Sequence, residues 1–353
     1  MVLLVHYPFA VAAVGDGPSQ VNINANSGGA NTETHHLFWA STWESLNKEQ
    51  RASLYVAAAA AGVLGEELRA CAQIIQPAHF QYNNDMAVRG VAAFEDLSPS
   101  VLCNIGEGGI LSLATVKKLL ATSSGRQDPL LANEIEKLDS LVTSAADERS
   151  LLAVLFLREA AQASSPLMPY LQALLWRAHE EIPSAWNPNT AEGSARRAAL
   201  AASSGPTTLK AADALRKHIF QQYSELVPRA LDLLPQLLVH GVGGEEEPRR
   251  VAAHYSFQRF AEVWLGMRSR SFDNGAYGLL VPLICLMNHP GVGEESNVDA
   301  EYDEVLGFVM KAKRPIRQGE ELRYSYGAHL CRERALLVYG FVLEGMPPCS
   351  GMS

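Results

Sequence analysis

Residues 281–290 read VPLICLMNHP: an apolar run stops at Asn288 and His289, two side chains that need hydrogen-bond partners, and a proline closes it. An isolated Asn-His pair reads as a strand surfacing into a loop. Three more pieces stand around it in order: RSRSF (268–272), RQGEELRYSYG (317–327) and ALLVYGFV (335–342). Singly they read as a solvated turn, a hairpin turn and a strand end. Metal chemistry is not expected of them. The five cysteines (Cys71, Cys103, Cys285, Cys331, Cys349) form no CxxC pair, and His35-His36 has no second ligand pair at metal spacing. Such scattered cysteines fit reduced intracellular thiols better than a disulfide framework.

The elements around these pieces change character twice along the chain. Residues 86–113 are short apolar stretches separated by Gly, Ser-Pro-Ser and Gly-Glu-Gly-Gly, which predicts short strands joined by turns. From Asp128 to about Leu238 the pattern is helical, and DERSLLAVLFLREAAQ, apolar nearly all round, predicts a central bundle helix. The low-complexity stretch AEGSARRAALAASSGP (191–206) reads as a flexible connection and GVGGEEEPRR (241–250) as a loop. Beyond these, HYSFQRFAEVWLGMRSRSF predicts a helix running into a loop, and LLVPLICLMNH a buried strand. EVLGFVMKAKRPI and ELRYSY predict a strand pair, and LCRERALLVYGFV a short helix with an aromatic end. Two β-rich ends around a helical stretch imply that the ends meet in space.

The four pieces, taken as an ordered set, resemble the SET-domain protein methyltransferases of the Rubisco and ribosomal-protein lysine methyltransferase class, which includes the actin-histidine methyltransferase. That class shows Ser-Arg-x-Phe, then Pro-Leu-x-Asp-x-x-Asn-His, then Gly-Glu-Glu-(aliphatic)-x-x-x-Tyr-Gly, then Leu-Leu-x-Tyr-Gly-Phe. GVAAFEDLSPSVLCNI (90–105) is similar to its first SET segment, and PLMPYLQALLW with EEIPSAW (166–186) to its helical insert. The resemblance implies an α+β fold: a split SET domain of short strands with a pseudoknot-like C-terminal crossing, interrupted by a helical insert. The divisions it implies are an N-terminal region (1–80), a first SET part (81–127), the insert (128–253), a second SET part (254–345) and a tail (346–353) without the usual C-terminal substrate-binding helical domain.

The function it implies is S-adenosylmethionine-dependent methyl transfer to a lysine of a non-histone protein; the alternative is a weak or inactive SET-fold module that binds a partner. Arg89, Gly90, Ser269, Arg270, Asn288 and His289 would bind S-adenosylmethionine, Tyr326 would be catalytic, and Phe272, Tyr339 and Phe341 would line the lysine channel. Core packing competes with that role for Phe272, Tyr339 and Phe341. Phe272 favours lysine over histidine as the target, because the histidine-modifying branch resembles a polar amide there. Several positions depart from the class: Val88 replaces the first glycine of Gly-x-Gly, Gly106 a proline, Ala114 a glutamate and Cys285 the aspartate of the Asn-His segment.

Composition narrows the alternatives. The chain has 353 residues, 48% apolar and 19% charged, which is globular. A net charge of −9 argues against general nucleic-acid binding. No segment approaches the ~20 apolar residues of a membrane span. The apolar N-terminus has no Lys or Arg before it and is broken by His6 and Pro8, so a buried strand or loose end is preferred to a secretory signal. A monomeric cytoplasmic or nuclear protein is the expectation.

Overall fold

A computed structural model describes residues 66–350 apart from 83–85, 124–128, 163–164, 166, 169, 172–180, 240–247, 273–278 and 329. The polar, Gly- and Asn-rich stretch 15–34, which reads as a loop, lies outside the described residues, as does the start of the Ala-rich helix predicted from Ser45; the end of that helical stretch is described. Helix α1 (Glu66–Ile74) runs into strand β1 (Ile75–Tyr82), followed by β2 (Met86–Ala93) and β3 (Val101–Ile105). Helices α2 (Leu113–Ser123), α3 (Pro129–Lys137), α4 (Ala145–Ala160), α5 (Ala191–Leu233), α6 (Pro235–Leu238), α7 (Pro248–His254) and α8 (Phe257–Arg270) come next. Strands β4 (Val298–Asp303), β5 (Gly307–Ala312) and β6 (Glu321–Leu322) and helix α9 (Arg332–Tyr339) complete the order.

The β-rich ends do meet. One sheet has the order β1-β2-β6 and the other β3-β5-β4, so each sheet joins strands from both sides of the helical stretch. Val91 and Ala92 of β2 pair with Leu322 and Glu321 of β6. Ile105 of β3 pairs with Phe308 of β5. That second pairing requires glycine at 307: φ is +80°, and a Cβ would lie 2.4 Å from the Ile105 carbonyl oxygen. Asp303 closes the β4–β5 turn by accepting from the Val305 and Leu306 N–H groups, both at 2.8 Å.

Helix α4 is the core helix its sequence predicts. Ser144 caps it by accepting from Asp147 N–H at 3.2 Å, and Leu151 through Leu157 are all buried. Its polar end is also internal. Arg158 pairs with Glu159 and donates to the Leu237 carbonyl at 3.3 Å, while Ser165 donates to Glu159. Glu134 of α3 caps the start of α6, accepting from Gln236 and Leu237 N–H at 3.1 and 2.8 Å.

Several local expectations are corrected. Residues 191–204 are helical: Thr190 caps α5 by accepting from Gly193 N–H at 3.1 Å, and the alanine-rich composition favours helix over a loose connection. Gly205, with φ +82° and ψ 163°, leaves the helical conformation, so α5 is two helical segments meeting at Gly205-Pro206. Pro248 to Arg250 open α7 rather than extending a loop. Strands β5 and β6 belong to different sheets and are not a pair.

Residues 280–289 are not a regular strand. They make bridges near their ends, Leu111 to Leu280 and Asn288 to Arg323, around a short 3₁₀ turn at Ile284–Leu286. Val281 to Met287 are buried on every side, which explains an apolar run without a strand's alternation. Four cysteines are paired, correcting the expectation of free thiols: Cys71 with Cys103, and Cys331 with Cys349. Partners 32 and 18 residues apart are brought to Cα separations of 5.3 and 5.1 Å by tertiary contacts that spacing does not reveal.

Candidate active site

Tyr326 is the centre of the arrangement. Its hydroxyl donates to the Met287 carbonyl at 2.7 Å, and its backbone N–H donates to His289 Nδ1 at 3.1 Å. Two bonds therefore tie the Tyr-Gly segment to the end of the apolar run. A third tie is the parallel bridge between Asn288 and Arg323, with Tyr324 N–H donating to the Asn288 carbonyl at 3.0 Å. The polar end of the run is a docking point for the segment that follows β6.

Around the Tyr326 ring stand Tyr339 at 4.6 Å, His289 at 5.3 Å and Phe341 at 6.1 Å, centroid to centroid. Tyr339 is the last residue of α9, and Gly340 turns the chain with φ +77° before Phe341. A Cβ there would lie 3.1 Å from Glu181, so glycine lets both rings come from adjacent positions against the 181–182 segment. Phe272 is placed differently. Its ring meets Phe308 at 4.6 Å and Tyr324 at 5.2 Å, and Tyr324, 6.4 Å from Tyr326, links the two aromatic groups.

The electrostatics follow from burial. Burial pushes the Tyr326 phenol well above its ordinary range, with Arg270 opposing, so the group stays protonated through neutral pH. Burial pulls His289 below 6.5, partly offset by its hydrogen bond to the Tyr324 backbone, and its Nδ1 acts as an acceptor. Cys285 is a buried thiol outside both disulfides and within the electrostatic reach of the Tyr326 phenol.

Arg270 ends α8, and its Nε is buried without a hydrogen-bond partner, a donor suited to an anionic ligand group. Ser269 is buried beside it, but its hydroxyl donates to the Gly266 carbonyl at 2.9 Å within the helix. Arg89 and Gly90 lie in β2 next to Val91, which pairs with Leu322 just before the Arg323 bridge. Strand pairing thus leads from β2 through β6 to Asn288.

Sequence reasoning did not single out Glu321 and Asn297. The Glu321 carboxylate accepts from Asn288 Nδ2 and from Arg323 Nε, each at 2.8 Å. Asn297 accepts from Arg323 N–H at 2.7 Å and donates to the Glu321 carbonyl at 2.8 Å. Glu321 was visible as the second acid of the GEEL stretch, whereas Asn297 carried no signal. Metal-donor atoms of Cys331, Glu333 and Cys349 lie within 4.8 Å of one another, but the two sulfurs are bonded to each other.

No family model and no curated protein matches the chain. Among solved structures it is similar to Rubisco LSMT bound to AdoMet, at 14% identity and TM-score 0.50, over 84% of this chain and 57% of that one. It is also similar to the SET domain of LSMT bound to lysine and AdoHcy, at 15% identity and TM-score 0.44, over 75% and 52% of the two chains. The first likeness shows the fold: the chain is an α+β protein with the SET-type architecture of that methyltransferase. The chain spans 57% of the length of that structure. Among the described residues, no helix is long and apolar enough to cross a membrane.

Proposed function

We propose that this chain is an S-adenosylmethionine-dependent protein-lysine N-methyltransferase acting on a non-histone protein, with Tyr326 as its catalytic residue. The observation that carries this reading is the half-buried Tyr326 phenol. It is tied to Met287 and His289 and faced by Tyr339 and Phe341, with the unpartnered Arg270 Nε on a neighbouring element.

Arg270, Asn288 and His289 would hold S-adenosylmethionine, with Ser269 beside them and Arg89 and Gly90 at its methionine end. The orphaned Arg270 donor suits the carboxylate of that cofactor. When bound, the cofactor supplies a methyl group already activated on a sulfonium centre.

The chain's own residues then have two tasks. A lysine ammonium at pH 7 lies ~3.4 units below its pKa, so neutralising it costs about 4.6 kcal/mol. The apolar walls formed by Tyr339 and Phe341, with Phe272 further off behind Tyr324, would disfavour the charged form and lower that cost. The second task is alignment, which can supply several kcal/mol. Because the Tyr326 hydroxyl donates to Met287, its lone pairs are left to accept an N–H of the substrate amine. Tyr326 therefore orients the nucleophile and does not act as a phenolate base.

A weak or inactive SET-fold binding module is the second reading. It is favoured by Cys285, whose thiol stands near Tyr326 where the class has a carboxylate. Calorimetric titration with S-adenosylhomocysteine, paired with transfer of a labelled methyl group to cell extract, separates the two. Saturable binding with label on methyl-lysine supports the enzyme; no heat at millimolar ligand supports the module. Label found on histidine alone would remove the lysine assignment that Phe272 motivates.

A further inference from the structure

We propose that the junction of α4, α8 and α9 is a binding site for an oxyanion, a carboxylate or phosphate, held by Trp264 and Arg268 of α8 and Arg334 of α9, beside the Arg149 guanidinium of α4 that stacks on the same indole. This site borders the Tyr326 arrangement through Tyr339, which lies within electrostatic reach of Arg268, and its existence does not depend on methyl transfer.

Helix α8 packs against both α4 and α9, and each of the three helices brings a guanidinium to this junction. The Arg149 and Arg268 Cζ atoms stand 5.5 and 6.0 Å from the centroid of the same Trp264 indole. Burial first, then Arg149, depresses the Arg268 guanidinium below its ordinary range; Arg334 adds to this and Tyr339 opposes it. This is the direction expected of a cation crowded by cations.

Two donors at this junction have no acceptor. Trp264 is 3% exposed, and its Nε1–H is buried without a hydrogen-bond partner. Arg268 Nη1 is likewise buried and unpartnered. The two residues are i and i+4 on one face of α8, so both orphaned donors come from the same side of the helix. A buried donor without an acceptor is a rare and unfavourable state, and two on one helix face call for a ligand.

Carboxylates on the same helices are engaged elsewhere. Glu148 accepts from the Leu113 backbone, Glu262 from Gln258 at 3.0 Å, and Glu333 from Arg332 and Cys349 N–H. The complementary ligand carries acceptors only, bears negative charge and is small and planar or tetrahedral, which defines an oxyanion. Two sources supply that chemistry: an acidic side chain on a bound protein, or a free phosphate. Arg334 is exposed on the helix that ends at Tyr339, so an acidic side chain entering there would approach the Tyr326 aromatic group from outside.

The test is thermal unfolding of the full chain against increasing sodium phosphate, with sodium chloride at matched ionic strength as reference. A saturable rise in melting temperature specific to phosphate is expected. Arg334→Glu should abolish it, and Trp264→Phe, which keeps an aromatic ring and removes the N–H, should weaken the apparent affinity about tenfold. Circular dichroism checks that both variants fold. Identical melting in phosphate and chloride overturns the proposal, as does a phosphate response that survives in both folded variants. A lysine peptide carrying Glu, compared with its Gln counterpart, then distinguishes the sources. Displacement of phosphate by the Glu peptide alone identifies a protein side chain as the occupant; displacement by neither identifies a free anion.

Discussion

Replacing Tyr326 by Phe removes one oxygen and leaves the ring, so its effects divide cleanly. The lost bond is the 2.7 Å donation to the Met287 carbonyl. A neutral buried hydrogen bond contributes about 1 kcal/mol, and a carbonyl left unpaired can raise the loss to ~1–3 kcal/mol. The ring contacts to Tyr339, His289 and Phe341 remain, as does the backbone bond to His289, so the fold should persist with a modestly lower melting temperature. Methyl transfer should suffer more. Loss of one preorganised polar contact to the reacting centre typically lowers kcat by about 10²–10³, or roughly 2.7–4 kcal/mol. Affinity for S-adenosylhomocysteine should change by less than about twofold, since the proposed cofactor groups are on Arg270, Asn288 and His289. Single-turnover transfer of a labelled methyl group measures the first quantity and calorimetry the second. Equal losses in rate and cofactor affinity would show a structural role only, and an unchanged rate would remove Tyr326 from the chemistry.

Other expectations concern the scaffold. His289 has a folded pKa below its unfolded value, so the stability it contributes is present above about pH 6.5 and is lost as pH falls toward the folded value. Melting temperatures should therefore drop between pH 7.5 and 5.5, and His289→Gln should flatten that part of the profile. The Cys331–Cys349 bond encloses α9, Tyr339 and Phe341; Cys349→Ser should cost about 3 kcal/mol by loop-closure entropy. Excess reductant should bring the melting temperature of the parent protein down toward that of this variant. Gly307→Ala should unfold the protein in lower urea, because its Cβ would meet the Ile105 carbonyl at 2.4 Å and break the β3–β5 pairing. Glu159→Ala should cost roughly 3–5 kcal/mol by leaving the Arg158 charge buried without its partner, measurable as a lower denaturation midpoint.

The elements legible in the sequence were those with strong local patterns. Helix α4 announced itself because Leu151 to Leu157 are uniformly apolar and Ser144 caps them. The α8 and α9 helices and the β5 strand were likewise readable from period and punctuation. Low complexity misled at 191–204, where alanine's helix propensity and the Thr190 cap prevail until the non-helical Gly205 interrupts the helix. The run 281–287 misled for a different reason. A segment buried on all sides has no amphipathic period, so its hydrophobicity records only that it crosses the core. Its path includes Leu283 at φ +72°, a strained conformation for a branched side chain that no residue type foretells.

The sequence supplied the candidate site residues through an ordered set of motifs and the family that set resembles: Asn288 and His289 after an apolar run, and, by that resemblance, Arg270, Tyr326, Tyr339 and Phe341. It also determined that strands lie on both sides of a helical stretch. Only the tertiary structure decided that Tyr326 reaches Met287 and His289, that Phe272 packs with Phe308 and Tyr324, and that four cysteines pair. The physical reason is range. Caps, helix periods and turns act over a few neighbouring residues and leave a trace in local composition. The approach of Tyr326 to Met287, 39 residues apart, depends on how the β2–β6 and β3–β5 pairings close, and no single stretch of chain encodes that closure.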